Sequence, residues 1–482
     1  MRPVLSNLGF VMQIAGIFLL LPVASAFYLG ETEALISFFV AGFCFFILGF
    51  MLNALSRRSE ISYKQSCILL SSSFFILSLI GSVPYLWNNP FGQENAIDRF
   101  TNSFFESASG FTTTGLSLIP DMSAVPRSLA LYRSLTELIG GLGIVFLILA
   151  FFYKGNTIHN ISRIIGLVDI SKKDIKRSFA SILVVYISYL AALTGAFYLL
   201  GFANLFDAAA LMISGLMTGG FSPVNSLSAF VSFPGNVLII VSMLLGSISF
   251  IVHFKVFSGK FREALKKELL IFLGIMAASA AGIFFAYGLN PAEIIFHVVS
   301  ASSGTGFSLW NFSEFGNSLK LLFVALMFIG GMSVSTSGGI KVVRLAVLLK
   351  SVPCIINSLL FGREYEVNFD GRRYTIRDVA VNSTFILLGI IIVFLGSIAL
   401  TTAGFSYMDS LFESASAFGT VGLSTGITTV SLFAHLKWVL IILMLVGRIE
   451  IIPFLMTFSR GPERKVHGHE KEGRRLARLA QP

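Results

Sequence analysis

Ser109-Gly110-Phe111-Thr112-Thr113-Thr114-Gly115-Leu116-Ser117 is a short polar, glycine-bearing run in a chain that is otherwise largely hydrophobic. It returns as Met217-Thr218-Gly219-Gly220-Phe221-Ser222, as Ser303-Gly304-Thr305-Gly306-Phe307-Ser308, and as Gly419-Thr420-Val421-Gly422-Leu423-Ser424. Every copy has Gly, then Leu or Phe, then Ser. One such run is noise. Four, each set between two apolar stretches, predict four walls of one pore.

The surroundings fit that reading. Of 482 residues, 55% are hydrophobic and 12% charged, against about 25% charged in a soluble domain. The chain is therefore expected to be an integral membrane protein, with room for many spans of about 20 residues. Cys44, Cys67 and Cys354 sit in or beside apolar segments and read as small core residues, not a metal or disulfide set. The net charge of +10 does not cluster on a soluble domain, so nucleic acid is not an expected partner. The N-terminal apolar run, about 8–29, is too long for a signal-peptide core and reads as a span.

Residues 1–62 form a leading transmembrane hairpin, its apolar runs joined by Gly30-Glu31-Thr32-Glu33. A unit then repeats: long apolar helix, short amphipathic segment, glycine loop, long apolar helix. Pore repeat one covers 63–165, repeat two 166–266 and repeat three 267–360. A basic connector at 361–378 precedes repeat four, 379–460, and a basic tail, 461–482. The short segments lie at about 100–110, 206–216, 292–302 and 408–418. As helices they cross only about half a bilayer, so they must be re-entrant, and non-helical backbone at that depth is tolerated only along a water-filled path. The second and fourth inner helices are expected as continuous spans, about 234–254 and 434–458. The expected fold is all-α and polytopic: ten transmembrane helices, two leading plus four helix–pore-loop–helix repeats around a pseudo-fourfold pore. Arg and Lys cluster at 57–64, 154–177, 255–267, 341–377 and 460–478, all on one side if ten spans are right. The positive-inside rule then makes both termini cytoplasmic.

The repeat runs deeper than the loop. Asn102, Asp207, Glu293 and Asp409 stand thirteen residues before the four loop glycines, where an acceptor suits a helix start. Gly141, Gly246, Gly331 and Gly447 follow those glycines by 25 or 26 residues and would let inner helices approach closely. A cation crossing lipid needs its hydration shell replaced, and backbone carbonyls do this without a fixed charge. Glycine permits the backbone angles that aim successive carbonyls one way. The preceding pairs, Thr113-Thr114, Thr218-Gly219, Gly304-Thr305 and Thr420-Val421, carry no charge. An anion pore would want Arg or Lys and a divalent-cation filter a carboxylate ring. The loops favour a weakly hydrated monovalent cation, K⁺ before Na⁺, bound at these pairs and at Gly115, Gly220, Gly306 and Gly422.

These four loops, with Tyr132-Arg133-Ser134-Leu135-Thr136-Glu137-Leu138-Ile139-Gly140-Gly141-Leu142-Gly143, Gly330-Gly331-Met332-Ser333-Val334-Ser335-Thr336-Ser337-Gly338-Gly339-Ile340-Lys341 and Val446-Gly447-Arg448-Ile449-Glu450, resemble the TrkH/KtrB/HKT superfamily of potassium transporters over essentially the whole chain. The leading hairpin makes it more similar to the TrkH branch. The resemblance implies potassium uptake across the cell (inner) membrane, with K⁺ as the transported ion. It implies a homodimer set in membrane lipid and a cytoplasmic ring of TrkA-like nucleotide-binding regulatory subunits, with no nucleotide bound on this chain. It also implies that the four loop glycines are the filter glycines. In plant HKT relatives a Ser replacing the first-loop Gly accompanies Na⁺ selectivity, and Gly115 matches the K⁺-permitting form. Leu211 departs from the pattern, standing where repeats one and four have Glu106 and Glu413.

A gate is expected below the filter. Gly331, Ser335, Thr336, Ser337, Gly338, Gly339 and Lys341 lie in a break in the third inner helix; the three hydroxyl residues would cost free energy facing lipid and should line the cavity. In the resemblance this break is the intramembrane loop that blocks the path. Arg448 lies about 21 Å into the last helix, near mid-membrane, where an Arg is a functional hypothesis by default. It should help hold the pore shut; a structural ion pair with Glu450, Glu106 or Glu413 is the other reading. Glu106 and Glu413 should hydrogen-bond filter backbone, Glu137 could do either, and Arg133 should anchor the outer end of its helix. His253, His297 and His435 read as isolated. A symporter coupled to H⁺ or Na⁺ is the alternative to a channel-like pathway. No zinc pair, nucleophile elbow or phosphate-binding loop points to an enzyme.

Overall fold

The computed structural model describes residues 2–55, 61–142, 172–230, 233–265, 267–362 and 366–459. The end of the expected first inner helix, the 154–171 basic run and the 461–482 tail lie outside them. The described chain is helical apart from its loops and one small hairpin. Seven helices are long and apolar enough to cross a membrane, and two bent helix pairs add two more.

The leading hairpin is Arg2–Phe18 and Leu20–Leu29 against Thr32–Ala54. Its helices touch backbone to backbone: a Cβ on Gly9 would lie 2.5 Å from the Gly49 carbonyl oxygen, and one on Gly49 would lie 2.8 Å from that of Gly9. Lipid gives apolar helices little reason to associate beyond such close packing. The turn between them docks on repeat one. The Glu31 carboxylate accepts the Arg127 and Ser128 N–H groups at 2.8 and 3.0 Å, capping the first inner helix, Arg127–Gly141.

The four short helices are Ala96–Phe111, Leu205–Leu216, Pro291–Ser303 and Tyr407–Gly419. Asn95, Asn204, Asn290 and Ser406 cap them. Asp207, Glu293 and Asp409 sit in the first turn, where an acid favours the helix dipole. Asn102 lies further in, because the first short helix begins about one turn earlier. There it accepts from Lys437 Nζ at 2.7 Å. The equivalent Asp409 accepts from Lys320 Nζ, also at 2.7 Å, so inner helices three and four each reach the short helix of the next repeat in the circle.

Two inner helices expected as continuous are broken. Phe233–Ser247 meets Phe250–Phe257 at 103°, and Ala434–Ile449 meets Ile451–Phe458 at 105°. At the first break the freed groups are taken up by a neighbouring segment: Ser247 O accepts from Met332 N at 3.1 Å, and Phe250 N donates to Val334 O at 2.9 Å. At the second, Glu450 turns the chain with φ +69°. The third inner helix, Asn317–Ile329, stops at Gly330 and resumes as Val342–Phe361. The connector holds a hairpin, Val367–Phe369 with Arg372–Tyr374, turned by Asp370-Gly371, both left-handed as a two-residue hairpin turn requires.

Candidate functional site

Each short helix ends the same way. The N–H two residues before the loop glycine (Thr113, Thr218, Gly304, Thr420) bonds back three residues, and the next N–H (Thr114, Gly219, Thr305, Val421) bonds back five, to Ser109, Ser214, Ser300 and Ser416. This is a Schellman ending, which needs a left-handed residue at its corner. Gly304 supplies it in repeat three. Thr113, Thr218 and Thr420 supply it elsewhere at φ 53°, 52° and 49°, a conformation β-branched residues avoid and one that concentrates at functional sites. The loop glycine, two residues on, is left-handed again: φ 79°, 89°, 88° and 97° in order.

The loops interlock as a closed circle. A Cβ on Gly115 would strike the carbonyl oxygen of Gly219; on Gly220, that of Thr305; on Gly306, that of Val421; on Gly422, that of Thr114. Each glycine thus packs against the carbonyl preceding the next glycine, from repeat one round to repeat one. Glycine is required here twice over, by φ and by space. Thr113 and Thr420 Oγ1 are buried with no hydrogen-bond partner among the described residues, where an unpaired hydroxyl is costly.

Polar side chains brace the circle from behind. Glu106 accepts from Ser117 Oγ at 2.9 Å and Leu118 N at 3.0 Å, and Glu413 from Ser424 Oγ at 2.8 Å and Thr425 N at 3.2 Å. His297 does the equivalent in repeat three. Repeat two has Leu211 instead, and its loop is held by Glu137 from the first inner helix, which accepts from Phe221 N at 2.9 Å. Arg133, expected to anchor the outer end of its helix, is 2% exposed. It bonds Glu106 at 2.7 Å and Ser222 O at 3.0 Å, tying loop one to loop two.

Beneath the circle lies the segment 330–341. Its neck is knitted shut: Ile340 N donates to Phe328 O at 3.0 Å, Lys341 N to Ile329 O at 2.9 Å, and Val342 N to Gly331 O at 3.2 Å. A Cβ on Gly330 would strike the Gly338 carbonyl, and one on Gly339 would lie 2.9 Å from Gly330 Cα, which accounts for two glycine pairs. The segment reaches three loops. Thr336 Oγ1 meets Thr218 Oγ1 at 3.2 Å, Ser337 Oγ lies 2.8 Å from a Cβ on Gly304, and a Cβ on Gly338 would meet Thr420 Oγ1. Arg448 clamps it: Nη1 donates to Thr336 O at 2.6 Å, and Nη2 to Gly140 O at 2.6 Å. Its donors go to carbonyls and not to Glu450, which pairs with Arg344 at 2.6 Å. Lys341 Nζ donates to Ser337 O.

Ser335, Ser337, Lys341 and Arg448 also line a cavity of about 450 Å³ beneath the segment, with Glu268 and Tyr374. Thr336 faces the circle instead. The structure therefore brings together the residues of the four loops and sets the segment 330–341 with Arg448 directly under them. His297 could have been found by counting: like Glu106 and Glu413 it stands nine residues before its loop glycine.

A polytopic helical chain with loops from four repeats closed on one axis is, as a class, a membrane transport protein. It matches the TrkH cation transport protein family over residues 35–281 and 284–467. The chain belongs to that family, and it is a transporter and not an enzyme. It is 29% identical over 466 residues to an uncharacterized cation transporter of Methanocaldococcus jannaschii, covering 95% of each chain. It is 26% identical to the Trk system potassium uptake protein TrkH of Vibrio parahaemolyticus, covering 88% of this chain and 90% of that one. With the Trk system potassium uptake protein TrkG of Escherichia coli it shares 28% identity over 95% of this chain and 98% of the other. The crystal structure of the potassium transporter TrkH from Vibrio parahaemolyticus superposes with a TM-score of 0.83 at 24% identity, covering 95% and 98% of the two chains; this likeness speaks to the fold.

Proposed function

We propose that this protein takes up potassium across the cell membrane through a channel-like pore. Thr113, Thr114, Gly115, Thr218, Gly219, Gly220, Gly304, Thr305, Gly306, Thr420, Val421 and Gly422 form its filter. The observation that carries this is the closed circle of glycine-to-carbonyl contacts. Uncharged backbone oxygens held rigidly in the membrane replace water around a monovalent cation without a charged ring. Relatives named as Trk potassium uptake proteins support K⁺ as the cargo.

The gate is the segment 330–341 with Gly331, Ser335, Thr336, Ser337, Gly338, Gly339 and Lys341, held by Arg448. Three backbone-directed hydrogen bonds from one guanidinium support this reading, since a fixed cation beneath the loops repels a permeant cation. Opening then requires Arg448 to release Thr336 O. The chain works as a homodimer whose cytoplasmic face, with both termini, receives a nucleotide-binding regulatory ring.

Flux into proteoliposomes holding this chain alone, with K⁺, Rb⁺, Na⁺ and Li⁺ compared, tests the reading. K⁺ and Rb⁺ should pass well ahead of Na⁺, and Gly115→Ser should weaken the preference, since its side chain enters the Gly219 carbonyl's place. Flux that appears only with a Na⁺ or H⁺ gradient would instead establish a coupled transporter.

A further inference from the structure

Three of the four short helices carry a polar side chain nine residues before the loop glycine: Glu106, His297 and Glu413. Each braces the outer limb of its own loop. In repeats one and four a carboxylate takes the serine hydroxyl two residues past the glycine and the N–H three residues past it. In repeat three a single nitrogen faces the same groups. His297 Nε2 lies 2.9 Å from Leu309 N, 3.1 Å from Trp310 N and 3.3 Å from Ser308 Oγ.

Two N–H groups aimed at Nε2 require it to be an acceptor. The other ring nitrogen agrees: Nδ1 is 2.7 Å from the Glu293 carbonyl oxygen, so Nδ1–H donates there and the ring is the neutral tautomer. The imidazole is fully buried and stacked on Trp310, with centroids 3.8 Å apart and planes 11° apart. The Trp310 indole N–H in turn donates to the Glu293 carboxylate at 2.6 Å. A carboxylate therefore already stands one helical turn from position 297. Repeat four carries two carboxylates at this spacing, Asp409 and Glu413, but there Lys320 Nζ stands 2.7 Å from Asp409. Glu293 has no ion pair among the described residues, so a second carboxylate at 297 would set two uncompensated like charges at i, i+4, which is unfavourable.

We propose that His297 is the positioning residue of the third loop: a neutral, one-atom acceptor that fixes the Leu309 and Trp310 amides, and through them Gly306 against Val421. It thereby sets the cation selectivity that this loop contributes. The proposal rests on reading the four loops as a filter. Removing the acceptor takes away the partner of the half-buried Leu309 N–H and leaves the Trp310 N–H with the Ser308 hydroxyl alone, at 3.1 Å, so the limb that carries Gly306 loses its brace.

The test is the K⁺ to Na⁺ flux ratio of the full chain in proteoliposomes, with size-exclusion elution to certify folding. His297→Leu should lower the ratio by about tenfold, the scale of a lost buried acceptor. His297→Gln, whose amide oxygen can accept, should hold it near the original value. His297→Glu should lower it, and adding Glu293→Gln should restore it, because only the pair of charges is at fault. If His297→Leu does not fold, His297→Asn, too short to reach the amides, takes its place with the same expected loss. An unchanged ratio in the Leu or Asn variant overturns the proposal, as does a Glu variant that the Gln partner does not rescue. Gly306→Ser runs alongside. If it shifts the ratio and His297→Leu does not, only this inference falls; if neither shifts it, the filter reading falls as well.

Discussion

Arg448 is the residue where charge and position conflict most. A guanidinium deep in a membrane is expensive, and its usual remedy is a carboxylate. Sequence spacing offered Glu450, but Arg344 holds that carboxylate and Arg448 turns to the carbonyls of Thr336, Gly140 and Gly141. It is thereby a strut between the first inner helix and the segment under the four loops. Arg448→Ala should raise basal K⁺ flux by about tenfold, equivalent to ~1.4 kcal/mol of gate stabilisation. Flux that is unchanged or lower at equal protein in the liposomes would count against a gating role. At this scale the sequence was partly legible. Glu106 and Glu413 bond loop backbone as their place before the glycine suggests. His297 does the same, but a search framed on carboxylates passes over an imidazole. Arg133 looked like an outer anchor because only its distance along the helix was visible; which loop it faces depends on how repeat two packs beside repeat one.

At the scale of elements, the repeating order of long helix, short helix and loop was readable from hydropathy and from glycine spacing, and the short helices fall within a few residues of expectation at most ends. The two sharp breaks were not readable. Ile248-Ser249 and Glu450 carry no strong helix-stopping signal; at the first break the 330–341 segment supplies replacement partners from far along the chain, and at the second Glu450 takes a left-handed φ of 69°. The connector hairpin was legible in Asp370-Gly371 between short strands, yet a basic composition drew attention to charge alone. The hairpin has a mechanical role. Asp370 accepts from Lys267 N at 2.9 Å and Glu268 N at 3.3 Å, capping Lys267–Tyr287. Glu268 then accepts from Ser333 N and Oγ, each at 2.6 Å. Asp370→Ala should lower thermal stability by about 1 kcal/mol, as lost caps do, and raise basal flux by loosening Ser333. Asp370→Asn, which keeps an acceptor, should retain most of both. Equal melting and flux in the two variants would refute the linkage.

At the scale of the whole molecule, four diverged repeats share one axis because the contacts are cyclic: loop to loop, and inner helix to the next short helix where Lys320 meets Asp409 and Lys437 meets Asn102. The leading hairpin stands outside this circle and attaches to repeat one through Glu31, through Glu33 to Trp87 Nε1 and Ser37 to Asn88 Nδ2, each at 3.0 Å, and through Phe38 against Tyr132. Its own association depends on Gly9 and Gly49, so Gly9→Leu should separate its helices and lower the melting temperature in detergent while sparing ion selectivity. A change in selectivity would mean that the hairpin bears on the loops.

The circle also dictates an order of biogenesis. Gly422 closes against the carbonyl of Thr114, partners that lie more than 300 positions apart in the chain. Loop closure over that length is entropically costly and slow relative to local pairing. A nascent chain that lacks the fourth repeat therefore holds an open arc, without the Gly422 contact to the Thr114 carbonyl. Only when the fourth repeat enters the bilayer does the last contact form, so the circle of loops is completed in one late step and not piecemeal during synthesis.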